Sequence, residues 1–462
     1  MAEHILFLTG HLARPRLEKI LGECGELDFT WSVLDVGVKV AALMTEPIIS
    51  RRVPRPVAAN RVMVPGRCRA DLKNLTAEFG VEFIRGPDEL KDLPSYFGRR
   101  GRSIDLSRHD MQIFAEIVDA STLTVGEIVE RAASMRAAGA DVIDLGCLPD
   151  TPFPHLEDSL RALRANNHAV SVDSANTEEL RRGAAAGAQY LLSLTEETLQ
   201  LAVETGTTPI LIPAMHGELS SLLRAAEEAD KLGIPAILDS ILDPIHFGFM
   251  NSLARYAELR RLLPTAEILM GTGNLTELTD ADSDGLTAAL LGICSELHIR
   301  NLLVVQVSPH TRRTIQEHDA ARRIMFAARN DATLPKDYGS ALLSLHDRKP
   351  FPNSPAEIAE LAIEVKDANF RIETSVDGIH VYNRDGHHLG QNAMSLFKKL
   401  GLGDDAPHAF YLGTELMKAE IAWVLGKRYI QDEPLDWGCA TDRPVEDLTR
   451  LVEAGHTLKR KR

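Results

Sequence analysis

ADVIDLG (residues 140–146), HAVSVDS (168–174) and QYLLSLT (189–195) are three short apolar runs, with the helical pattern TEELRRGAAAG between the second and third. Reading them as strands decides the fold. Each is apolar over most of its length, as expected of a strand buried on both faces of a parallel sheet. The same pattern extends outward. IFAEIVD (113–119) precedes the trio, and TPILIPA (208–214), IPAILDS (234–240), AEILMGT (266–272) and NLLVVQV (301–307) follow it. Helical patterns such as LTVGEIVERAASMRAAG, SSLLRAAEEADKLG and GLTAALLGICSELH separate them, several closing on glycine as helix C-caps do. About eight such units in roughly 230 residues match a (β/α)8 TIM barrel. A doubly wound open sheet is the alternative.

The flanks read differently. Residues 1–105 alternate strands (HILFLTG, DFTWSVLDVG, RVMVPG) with helices (RPRLEKILGEC, DLKNLTAEFG), which predicts a small α/β domain of flavodoxin-like type. The polar stretch FGRRGRSIDLSR is a linker. The barrel is expected over 110–345, and KPFPNSP is a hinge, because its prolines break helices. From 353 to 462 an α+β domain is expected: two strands around a VDG turn, a helix, then a long helix within APHAFYLGTELMKAEIAWVLGKRYIQD.

Composition narrows the function classes. The net charge is -15, which argues against nucleic acid as a partner, since phosphate neutralisation needs clustered Lys and Arg. The basic tail TLKRKR is too short to reverse this. No apolar run approaches the roughly 20 residues of a membrane span, and the N-terminal MAEHILFLTG reads as a first strand rather than a signal peptide. Five scattered cysteines without a CxxC fit a reducing cytoplasm.

In such barrels chemistry collects at the C-terminal strand ends. Taken in turn, these ends give Asp119 with Ser121; Asp144; Asp173 and Ser174; Ser193 and Thr195; His216; Asp239, followed by Asp243 and His246; Asn274 in GTGN; and Gln306 with His310. A single Asp after a strand is usually a helix N-cap, but four on four strands point to one acidic cavity. Such a cavity suits a heterocycle with N–H donors. A pterin is one, its 2-amino and N3–H groups seeking a carboxylate acceptor. Metal binding is the rival reading, because carboxylates with histidines suit Mg²⁺ or Mn²⁺. DADSDG (280–285) copies the opening of an EF-hand loop, but its twelfth position is Leu291, so helix capping by Asp280 or Asp282 is the better account. The pair His387–His388 sits beside a glycine-containing turn and is read as structural or solvated.

At AGADVIDLG, VSVDS, ILDS…DPIHFGF and GTGN the central region resembles the pterin-binding barrel family, whose best-known members are dihydropteroate synthases. The outer domains, with DGIHVYN, HAFYLGTELMKAEIA and PLDWG, resemble a subgroup associated with tetrahydromethanopterin metabolism. The resemblance implies that Asp173 and Asp239 hold the pterin's amino edge. It also implies that Ser193 stands in for a pterin-contacting Asn, and that Asp119 lies near the pyrophosphate and its Mg²⁺. Asp144, Asn274 and Gln306 join the pterin side. His216, His246 and His310 join Asp119 on the pyrophosphate or metal side. Barrels of this family often pair, which implies a homodimer.

One departure matters. The Lys and Arg with which dihydropteroate synthases grip pyrophosphate have no counterpart in Thr272, Gly273, Asn274, Gln306 or Ser308. Developing negative charge must be offset by something. The candidates are a metal on the carboxylates, a helix N-terminus after Gly273, or His310 with Arg312 and Arg313. Three functions compete: condensation of hydroxymethyl-dihydropterin pyrophosphate with an arylamine, pterin-dependent methyl transfer favoured by Asn274, and non-catalytic pterin binding by a scaffold.

Overall fold

In the computed structural model, described for residues 3–24, 27–87, 90–98, 104–402 and 405–442, the apolar runs of the centre close into a barrel. Its strands are β5 (Gln112–Ile117), β6 (Val142–Gly146), β7 (Ala169–Asp173), β8 (Tyr190–Leu194), β9 (Thr208–Leu211), β10 (Ile237–Leu238), β11 (Glu267–Gly271) and β12 (Asn301–Val305). They follow β1 (Glu3–Thr9), β2 (Phe29–Asp35), β3 (Arg61–Val64) and β4 (Glu82–Arg85) of the N-terminal domain in the chain. All eight barrel pairings are parallel, and β9–β10 and β12–β5 contacts complete the ring. The open-sheet alternative is thereby excluded.

Two apolar layers hold the barrel. Phe114, Val142, Leu192, Ile210, Ile237 and Leu269 fill its lumen, with Phe114 edge-on to Tyr190 at 5.0 Å. The outward faces of the same strands pack under the helices through residues such as Ile113, Ile143, Val170, Leu191 and Ile268. Burying each such side chain stabilises by roughly 1.5–3 kcal/mol. The helix Val125–Ala138 shows how local sequence sets the connections. Thr124 and Glu127 form a reciprocal capping box at its start, and Gly139 ends it at φ +119°. Arg322, fully buried, binds Asp141, Asp319 and the carbonyls of Met111 and Gly139, tying the last helix to the first βα unit.

The N-terminal domain is a parallel sheet in the order β2-β1-β3-β4, from β1 (Glu3–Thr9), β2 (Phe29–Asp35), β3 (Arg61–Val64) and β4 (Glu82–Arg85). The C-terminal domain is an antiparallel sheet of β13 (Arg371–Ser375), β14 (Gly378–Asn383) and β15 (Gly386–Gly390), covered by the helix Ala406–Leu425. The third strand, GHHLG, escapes sequence reading because it carries no apolar alternation. On it His387 Nε2 lies 2.9 Å from His380 Nδ1, a structural placement. The end of this domain meets the barrel where Arg313 donates to the carbonyl of Cys439 and to Asp442. The tail TLKRKR and residues 99–103 of the linker fall outside the described residues. Among the described residues no helix is long and apolar enough to cross a membrane.

Candidate functional site

Strand periodicity selects which side chains enter the barrel. Residues two apart share a face. From Phe114 in the lumen the next inward position is Glu116. From Val142 it is Asp144, from Ala169 it is Ser171 and then Asp173, and from Ile237 it is Asp239. The parallel register pairs Glu116 with Asp144, Asp144 with Ser171, and Gly146 with Asp173. Three carboxylates are thereby gathered, and ligand oxygens of Glu116, Asp144 and Asp173 lie within 4.8 Å of one another. A Cβ on Gly146 would stand 2.7 Å from Glu116 Oε1, so the glycine is the space into which the Glu116 carboxylate fits.

Three aspartates of the mouth share a second feature: each is anchored through Oδ1 by a hydroxyl. Ser171 donates to Asp144, Ser193 donates to Asp173 at 2.6 Å, and Tyr256 donates to Asp239 at 2.5 Å. Asp144 is wholly buried, and its Oδ2 has no hydrogen-bond partner among the described residues. Burial sets the protonation. It pushes Glu116 up to about 7, with the neighbouring charge of Asp173 adding to the effect. It holds Asp144 well above the usual carboxylate range, reinforced by Asp173 and Glu116. Asp173 is raised by burial and partly restored by the Ser193 bond. Asp239 is raised to about 6 by burial, against the opposing bonds from Tyr256 and the Ile241 amide.

The mouth stores backbone strain. Ser193 adopts φ +62° at an irregularity in the pairing of β8 with β9, which turns its hydroxyl to Asp173. Ile241 and His246 also have positive φ, at +65° and +69°. Such conformations cost of order 1–3 kcal/mol each and cluster at functional sites. The loops after β9, β10 and β12 expose Met215, Phe247 and Val307, with Phe247 81% exposed, and Met250 is exposed in the first turn of the helix Phe249–Leu262.

The remaining predicted residues are described by the contacts they make. Asp119 lies beyond the inward face and pairs with Arg131 at 2.6 Å, so the structure does not place it as a metal ligand; Glu116 occupies the inward position instead. His216 pairs with buried Asp243, which also binds Arg255. His246 is exposed on the strained loop, and His310 contacts the carbonyl of Thr276 at 3.1 Å. Asn274 donates to the Leu242 carbonyl at 2.7 Å, and Gln306 keeps a buried Oε1 without a partner among the described residues. The helix after Gly273 is one turn, Gly273–Thr276, too short to act as an anion site. Asp282 is the N-cap of the helix Ser283–Glu296 by position, without a side-chain cap hydrogen bond, and Asp284 accepts from Ser344. Burial pushes the Cys147 thiol up, which disfavours the nucleophilic thiolate. Between residues 110 and 335 the sequence holds one lysine, Lys231, at the end of the helix Leu219–Lys231. Arg313 is committed to Asp442, whereas Arg312 is exposed and donates only to the Pro309 carbonyl among the described residues.

Comparison with known proteins gives the following similarities. Residues 3–88 match a family described as a family of unknown function (DUF6513). Over 93% of its length the chain is 26% identical to an uncharacterized protein of Methanocaldococcus jannaschii, 98% of which is covered. Among solved structures, a Yersinia pestis DHPS with a pterine-sulfa conjugate is 20% identical at a TM-score of 0.38, covering 49% of this chain and 95% of that one. A dihydropteroate synthase from Thermus thermophilus, in complex with 6HMPPP, is 23% identical at a TM-score of 0.36, covering 47% of this chain and 93% of that one.

Proposed function

We propose that the barrel mouth binds a reduced pterin by its amino edge. We further propose that the chain is a dihydropteroate synthase-like transferase of tetrahydromethanopterin biosynthesis, condensing hydroxymethyl-dihydropterin pyrophosphate with an arylamine. The observation that carries the reading is the matched pair Asp173 and Asp239. Each spends Oδ1 on a hydroxyl donor and keeps Oδ2 free of any hydrogen-bond donor among the described residues. The two are near enough for the charge of Asp173 to raise Asp239. A pterin offers two amino hydrogens and N3–H along one edge, a donor set that carboxylates of this kind accept. Phe247 and Met250 at the rim suit the flat face of an aromatic co-substrate. Asn274 supports methyl transfer less, since its amide is spent on Leu242.

The test is a titration of the purified chain with hydroxymethyl-dihydropterin pyrophosphate and with methyl-tetrahydromethanopterin, each with and without Mg²⁺. Tight binding of the first, strengthened by Mg²⁺, is expected. Binding of the second alone would replace condensation by methyl transfer, and binding without turnover would leave a scaffold. Unchanged affinity in Asp173→Ala would remove the pterin reading.

A further inference from the structure

The triad at the bottom of the mouth has a property the pterin reading does not use. Asp144 lies below Asp173 in the lumen and is wholly buried; its Oδ2 has no hydrogen-bond partner among the described residues, and it offers a carboxylate oxygen within 4.8 Å of oxygens of Glu116 and Asp173. A buried carboxylate oxygen left unpaired is costly, and natural proteins rarely leave one so. The hydroxyl of Ser171 reaches only the other oxygen.

The donor set is all oxygen. His216 is drawn off to Asp243 and His310 to the Thr276 carbonyl, so neither softens it. Around a magnesium or manganese ion, oxygens sit about 3 Å apart when adjacent and about 4.2 Å apart when opposite. Three ligand oxygens within 4.8 Å of one another span that shell with little contraction. The Gly146 recess leaves room for the longer Glu116 side chain, whose carboxylate oxygen lies within 4.8 Å of oxygens of both aspartates.

We propose that Glu116, Asp144 and Asp173 bind one hard divalent cation, Mg²⁺ or Mn²⁺, held by the protein itself without any substrate. The proposal goes beyond the pterin reading and does not need it. If both hold, the cation supplies positive charge in a mouth where Lys is absent and Arg313 is already paired.

The test uses the full chain stripped with a chelator, with no pterin present, titrated with Mn²⁺ while free Mn²⁺ is followed by electron paramagnetic resonance. One saturable site per chain, displaced by Mg²⁺, is expected. Asp144→Asn, an isosteric change, and Glu116→Gln should each weaken it at least tenfold, whereas Glu317→Gln, in the helix Thr314–Asn330 and outside the mouth, should leave it intact. Melting curves establish that the variants are folded; if Asp144→Asn is not, Glu116→Gln at the partly exposed edge carries the comparison. Absence of a saturable site, or wild-type affinity in the folded triad variants, overturns the proposal. Mn²⁺ bound but pterin refused would overturn the pterin reading alone, and pterin bound without any Mn²⁺ site would overturn this one alone.

Discussion

The hydroxyl of Ser193 donates to Asp173 Oδ1 at 2.6 Å from a backbone held at φ +62°. A strained residue on one strand thus orients the carboxylate of the next, and the strain and the hydrogen bond can be separated by mutation.

Ser193→Ala removes the donor and keeps the strain. The loss should be about 1–3 kcal/mol, the cost of leaving a buried acceptor unpaired. Ser193→Asn keeps a polar side chain and tolerates positive φ better, so it should melt above Ser193→Ala. Thermal unfolding of both at neutral pH checks the order; a Ser193→Ala variant that melts with the wild type would mean that the Ser193–Asp173 bond contributes nothing.

Pterin affinity should depend on the state of Asp239. Burial sets this carboxyl at about 6, so it is protonated below that pH and loses an acceptor. Affinity should rise with pH up to about 6 and then level, changing about tenfold per unit on the acidic limb. Tyr256→Phe removes a bond that favours the charged form, so the midpoint should move upward. Dissociation constants from pH 5 to 8 give the profile, and a flat one would rule out Asp239 as the acceptor.

Glu317 offers a stability test remote from ligand. It is 6% exposed, and burial lifts it to about 7 from an ordinary value of 4.5. Between those values the folded chain keeps a proton that the unfolded chain has released, so stability falls as pH rises through the window. Glu317→Gln stays neutral throughout. It should therefore gain on the wild type by on the order of 1–3 kcal/mol at pH 8 and show little gain at pH 4.5. Denaturant titrations at the two pH values measure the difference.

Gly146→Ala should destabilise by roughly 1–3 kcal/mol, because the new methyl meets Glu116 Oε1 at 2.7 Å and the Val118 Cα at 3.1 Å. Glu116→Asp withdraws the carboxylate and should recover part of that loss in the double variant. Additive effects in the double-mutant cycle would show that the two positions do not compete for the same space.

The barrel was legible because both faces of its strands are buried, leaving nearly unbroken apolar runs at regular intervals. The acidic well was only half legible. Asp144, Asp173 and Asp239 stand near visible strand ends. Glu116 hides inside IFAEIVD, where Asp119 looks like the terminus; counting by two from Phe114 is the signal that picks Glu116 out. The hydroxyl anchors were not legible at all. Tyr256 reaches Asp239 from the helix Phe249–Leu262, and Ser193 reaches Asp173 through a local irregularity of β8. Both depend on distances that only the closed barrel defines.

β10 is paired over two residues, Ile237 and Leu238, and its continuation runs straight into the strained turn at Ile241. The opposite side of the mouth rests on longer ladders, with β5, β6 and β7 aligned over four or five residues at each seam. The mouth is therefore lopsided in its backbone pairing, short on one wall and long on the other. A guest of slightly different width would be expected to find its room on the Asp239 side. Drift in residues 239–248 would then retune which ring is accepted while the far wall stays unaltered.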